Sequence, residues 1–118
     1  MAVKRIVADL HAADPAASRG FYEQVVGLEL VMDHGWIVTF AAPDDPSVQL
    51  SVMADDASAP VAPDVSIEVD DVDAAYAVAV ARGDEVVHPL TDEPWGVRWF
   101  FVRDPTGKVI NILSHQRS

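Results

Sequence analysis

Two stretches of this chain repeat one strand-then-helix pattern about 57 residues apart, and this repetition restricts the possible folds more than any other feature. In the second stretch Val65, Ile67 and Val69 alternate with Asp64, Ser66, Glu68 and Asp70, the period of a strand with one apolar and one polar face. At Asp70 or Asp71 the period changes: an aspartate there can cap a helix, and Val72, Ala75, Tyr76 and Ala79 recur three and four residues apart. In the first stretch Ile6, Ala8 and Leu10 alternate with Arg5, Val7, Asp9 and His11. Asp14 then serves as a cap, Pro15 opens a helix, and Phe21, Tyr22, Val25 and Val26 supply its buried face. The chain reads as two copies of one module.

Three further strands complete each copy. After Gly27, which suits a helix end, strands are expected at residues 28–32 and 36–40, joined by the turn Asp33-His34-Gly35. Pro43-Asp44-Asp45-Pro46 is another turn, and Val48, Leu50 and Val52 mark the last strand of the first copy. In the second copy Gly83 stops the helix, and strands are expected over 85–90, 97–102 and 109–113, with Asp104-Pro105-Thr106-Gly107 as a turn. The fold class is α+β, a single domain over 1–118 with module one at about 1–53 and module two at about 64–118. A linker rich in Ala, Asp, Ser and Pro, at about 54–63, joins them, and the tail beyond Ser114 is polar and expected to fray.

Charge limits the partners. The 8 basic and 19 acidic residues give a formal charge of −11, which repels phosphate backbones and anionic membrane surfaces, so neither nucleic acid nor membrane is an expected partner. The chain has no cysteine, which removes disulfides, thiolate metal sites and thiol nucleophiles. The first residues lack the apolar core of a signal peptide and no apolar run could span a bilayer, so the expected location is the cytoplasm.

Alternation also predicts a site. If helices cover one face of the sheet, Ile6, Ala8, Leu10, Val48, Leu50, Val52, Val65, Ile67, Val69, Ile110 and Ile112 lie beneath them. Arg5, Val7, Asp9, His11, Gln49, Ser51, Asp64, Ser66, Glu68, Val109, Asn111 and Leu113 then share the opposite, mostly polar face. That face is either the solvated side of the sheet or the lining of a cup. The supply of Trp36, Phe40, Trp95, Trp99, Phe100 and Phe101 favours a cup, because aromatic walls with a few polar groups are how small-molecule sites are built. Trp95-Gly96-Val97-Arg98 reads either as a lid whose Arg98 recognises a carboxylate or as packing at the module edge. His34, His88 and His115 read as structural or exposed.

Phe21-Tyr22 followed by Gly27-Leu28, the run from Val69 to Ala74, Trp95-Gly96, Asp104-Pro105 with Gly107, and Asn111-Ile112 together resemble the vicinal oxygen chelate superfamily. This is the superfamily of glyoxalases, bleomycin resistance proteins and extradiol dioxygenases. The resemblance covers nearly the whole chain and implies paired βαβββ modules whose curved mixed sheets enclose a cavity, helices on the outer face, and a homodimer. It implies metal-ligand positions at Val7, Gln49, Asp64 and Asn111, of which only Asp64 is an ordinary ligand for a divalent metal. The departure resembles the metal-free binding members, which sequester a drug in a dimer cleft. Carboxylates at Asp9, Asp64 and Glu68 would suit a cationic ligand.

The residues expected to bind the small-molecule ligand are Asp9, His11, Trp36, Phe40, Gln49, Ser51, Asp64, Ser66, Glu68, Trp95, Arg98, Trp99 and Asn111. No metal and no cofactor is expected. Two alternatives stay open. One is an enzyme of the same fold, of lyase, isomerase or dioxygenase type, working without metal or with an atypical metal set of His11, Asp64 and Glu68. The other is an accessory interaction module without a ligand.

Overall fold

The computed structural model describes residues 2–54 and 62–115. Most of the expected linker, residues 55–61, and the end of the tail, residues 116–118, lie outside the described residues. Eight strands form one mixed sheet: β1 (Val3–His11), β2 (Glu29–Asp33), β3 (Ile37–Ala42), β4 (Asp45–Met53), β5 (Val65–Val69), β6 (Val86–Glu93), β7 (Val97–Arg103) and β8 (Val109–His115). Their order across the sheet is β2-β3-β4-β1-β5-β8-β7-β6. Each half is a βαβββ unit whose first and last strands pair in parallel, β1 with β4 and β5 with β8. The halves join where β1 runs antiparallel to β5, with Val7 opposite Ser66 and Arg5 opposite Glu68. The sheet is curved and open, and β6, one of its two edge strands, carries Pro89, which has no amide proton to leave unpaired.

The second helix, α2 (Val72–Arg82), forms where the period changes. Asp71 Oδ1 accepts from the Ala74 amide at 3.0 Å, satisfying an amide that the first turn leaves open. Gly83, at φ +80°, ends the helix in a conformation that a side chain would strain. Val72, Ala75 and Ala79 face the sheet and pack with Val69, Phe100 and Val102, with Ile67, Tyr76, Ile110 and Ile112 around them. Asp71→Ala is expected to cost about 1 kcal/mol, read as a lower midpoint in urea denaturation with no change in slope.

The first helical segment departs from expectation. Instead of one regular helix it is a 3-10 turn at Pro15–Ser18, a single α turn α1 (Arg19–Phe21) and a π turn at Tyr22–Val26. Asp14 makes no side-chain cap. The changing number of residues per turn rotates the apolar residues off a common face. Of the four residues expected on the segment's buried face only Tyr22 packs inward, 5.3 Å from the Phe40 ring, while Phe21, Val25 and Val26 are exposed.

This short segment packs through Tyr22 on Val38, Phe40 and Val52 and leaves the outer-face side chains of β1 exposed. Ile6 (61% exposed) and Leu10 (43% exposed), with Ala8 and Val48, therefore form an uncovered apolar strip on the outer face, where coverage by a helix was expected. Among the described residues no helix is long and apolar enough to cross a membrane.

Candidate functional site

The inner face of the sheet encloses a cavity of about 730 Å³. Side chains two residues apart on a strand share a face, so one alternation per strand lines it. These are Arg5, Val7 and Asp9 of β1, Gln49 and Ser51 of β4, Ser66 and Glu68 of β5, and Asn111, Leu113 and His115 of β8. The outer strands add Val31, Met32, Ile37, Thr39, Val97 and Trp99, and the connections add His34, Trp36 and Trp95.

Asp9, Trp36, Gln49, Ser51, Ser66, Glu68, Trp95, Trp99 and Asn111 are thus brought together around one space. Four other expected ligand-binding residues lie elsewhere. Phe40 is fully buried on the opposite face, because Val38 and Phe40 alternate with the cavity residues Ile37 and Thr39. Arg98 alternates with Val97 and Trp99 and so points away, pairing with Asp73 at 2.7 Å and Asp92 at 3.1 Å. His11 ends β1, and its Nε2 lies 2.7 Å from the Pro63 carbonyl oxygen.

Asp64 precedes β5 and joins three strands. Its backbone oxygen accepts from the Asp9 amide, and its Oδ2 accepts from the Val109 amide at 3.0 Å. The β5 residue opposite both Val7 and Asn111 is Ser66, not Asp64. Val31, Met32, His34, Ile37, Thr39 and His115 were not expected in the lining, and Val97 was expected there only as part of a lid. The edge strands alternate too irregularly to assign a face, and His115 lies in a stretch expected to fray.

Two polar networks order the lining. In the first, Asn111 Nδ2 donates to Ser66 Oγ at 3.1 Å, and Ser66 Oγ donates to Asp9 Oδ2 at 2.6 Å. Burial pushes the Asp9 carboxyl up to about 6, against the opposing effects of the Ser66 hydrogen bond and of His11. In the second, Glu68 is held from two sides, by Arg5 Nη2 at 2.6 Å and His115 Nδ1 at 2.8 Å. Burial alone would raise the Glu68 carboxyl, but the His115 hydrogen bond and the Arg5 charge hold it below its ordinary value. Thr39 Oγ1 and Ser51 Oγ share a buried hydrogen bond of 2.8 Å. The indole rings of Trp95 and Trp99 meet edge to face with centroids 5.7 Å apart.

These donors do not fit a divalent metal. The cavity positions at the middle of the inner strands hold Val7, Gln49, Ser66 and Asn111, and Glu68 is already engaged by two cations or hydrogen-bond donors. The set His11, Asp64 and Glu68 does not converge, since the first two bond to other parts of the chain and only Glu68 lines the cavity. Among the described residues no group of three or more His, Cys, Asp or Glu is arranged to hold a metal ion.

Residues 4–112 match the Glyoxalase/Bleomycin resistance protein/Dioxygenase superfamily. No curated protein matches the sequence. A superfamily member from Vibrio splendidus 12B01 is similar over 96% of this chain and 99% of its own, at 19% identity and a TM-score of 0.72. Methylmalonyl-CoA epimerase from Mycobacterium tuberculosis is similar over 98% of this chain and 88% of its own, at 18% identity and a TM-score of 0.71. A hypothetical protein from Bacillus halodurans C-125 is similar over 100% of this chain and 98% of its own, at 10% identity and a TM-score of 0.75. At these identities the likeness is one of fold.

Proposed function

We propose that this chain, which belongs to the Glyoxalase/Bleomycin resistance protein/Dioxygenase superfamily, binds a small molecule without a metal and sequesters a drug or metabolite. The observation that carries this reading is the composition of the cavity. It is large enough for a drug-sized ligand, walled by Trp36, Trp95 and Trp99, and floored by hydrogen-bonding groups, with no group of three or more metal-ligating side chains arranged to hold an ion among the described residues. The proposal places the protein in the cytoplasm as a homodimer. The uncovered strip of Ile6, Ala8, Leu10 and Val48 on adjacent strands supports self-association, since contiguous exposed apolar surface marks interaction sites.

One preparation tests both parts. Elemental analysis and titration with nickel, zinc, manganese and iron(II) are expected to find no stoichiometric metal, and sedimentation is expected to find a dimer. A tightly bound equivalent of any of these metals would overturn the metal-independent reading; a monomer at all concentrations would remove the homodimer.

A second reading, metal-free catalysis, is favoured by Asp9. A carboxyl that titrates at about 6 inside a cavity can accept or donate a proton near neutral pH. Mass spectrometry of a bound ligand before and after incubation separates the two readings, because sequestration returns the ligand unchanged.

A further inference from the structure

We propose that the cavity floor is a subsite for a planar, positively charged nitrogen group, an amidine or amino-heterocycle, anchored on Asp9 with the Asn111 side-chain oxygen beside it. The inference rests on the small-molecule-binding reading and names the chemistry of the ligand.

Three observations carry it. The first is an unfilled acceptor pair. Asn111 is only 3% exposed, lines the cavity, and its Oδ1 has no hydrogen-bond partner among the described residues. A buried acceptor left unmet is costly, so a ligand donor that reaches it after a small adjustment of the floor gains that cost back. Asp9, 6% exposed, takes a hydrogen bond from Ser66 on Oδ2, while Oδ1 accepts nothing from any described residue. Asp9 joins to Asn111 through the Ser66 hydroxyl, so both open acceptors belong to one network.

The second observation is charge. The Arg5 guanidinium is 2.6 Å from Glu68 and is neutralised there, which leaves Asp9 as the unbalanced charge of the lining when it is ionised. An anionic ligand would meet this buried carboxylate with no available guanidinium; a cation would complete it. The third is the wall. Trp36, Trp95 and Trp99 present indole surfaces to the same space, and aromatic faces attract flat groups and cations.

Benzamidine, benzamide and benzoate share one shape and differ in charge and donor count, which makes them suitable probes. Titrations of the full chain at pH 8, followed by the nuclear magnetic resonance shifts of the tryptophan indoles, should show benzamidine binding at least tenfold more tightly than benzoate, with benzamide between them. In Asp9→Asn, benzamidine should fall to the affinity of benzamide. At pH 5 benzamidine should weaken in the wild-type chain, because protonation removes the Asp9 charge. The groups that set that charge are Ser66 and Asp64 from the β5 side and His11 on β1.

Benzoate binding as tightly as benzamidine, or a benzamidine preference unchanged in Asp9→Asn, would overturn the subsite and leave the small-molecule reading standing. No indole shift with any of the three probes would overturn both.

Discussion

Phe100→Ala is expected to lower stability by about 3–5 kcal/mol, seen as a fall in the urea midpoint with unchanged slope. Phe100 is fully buried between α2 and the sheet, its ring centroid 5.0 Å from that of Tyr76 and nearly perpendicular to it. Around it lie Val69, Val72, Ala75, Ala79 and Val102, small or β-branched side chains that cannot expand into the space a phenyl ring leaves. Ile6→Ala provides the contrast. Ile6 is exposed in the single chain, so its loss should cost about 0.5 kcal/mol or less. A larger loss, seen only at high protein concentration, would place Ile6 in a contact between copies of the chain.

Asp9→Asn is expected to stabilise the fold, increasingly so as pH rises from 4 to 7. The folded-state carboxyl titrates at about 6 against an ordinary value of 3.8, so the folded chain holds this proton more tightly than the unfolded chain. The contribution of Asp9 is fully present below about pH 4 and is lost as pH rises through about 6. The difference is worth about 3 kcal/mol. Glu68 works in the opposite direction, because its lowered value makes its contribution fade as pH falls, so wild-type stability alone mixes the two.

Subtracting the wild-type urea curve from that of Asp9→Asn at each pH isolates Asp9. A gain near zero at pH 4 that grows to about 3 kcal/mol above pH 7 is the expected result. A difference that does not vary with pH would mean that Asp9 is not desolvated. The proposed binding role accounts for a carboxylate kept there at a cost to stability.

Much of the site could be read from alternation. Because side chains on a strand change face at every residue, placing Val65, Ile67 and Val69 on the apolar side put Ser66 and Glu68 on the other, and the same rule placed Arg5, Asp9, Gln49, Ser51 and Asn111. Trp36, Trp95 and Trp99 were legible only as a surplus of aromatic residues. Phe40 and Phe100 belonged to the same surplus yet pack beneath the helices, since composition carries no information about direction. The family resemblance put Asp64 at a ligand position, but register against β1 and β8 assigns the central position to Ser66 and leaves Asp64 to secure the strand ends.

The repeat, the strand periods, the Asp71 cap and the stop at Gly83 are local properties, encoded in neighbouring residues and therefore present in the chain before it folds. Coverage of the sheet is not local. Whether Ile6 and Leu10 are buried depends on how far a helical segment extends across strands distant in sequence, and a segment of mixed 3-10, α and π turns covers less than a regular helix of the same length. Long-range pairing likewise brought His115 to Glu68 and Asn111 to Ser66, 47 and 45 residues apart in sequence, and turned Asp9 from one acidic residue among 19 into the desolvated charge of the cavity. Periodicity selects the face; only the packed sheet determines which groups on that face meet, and how much water they keep.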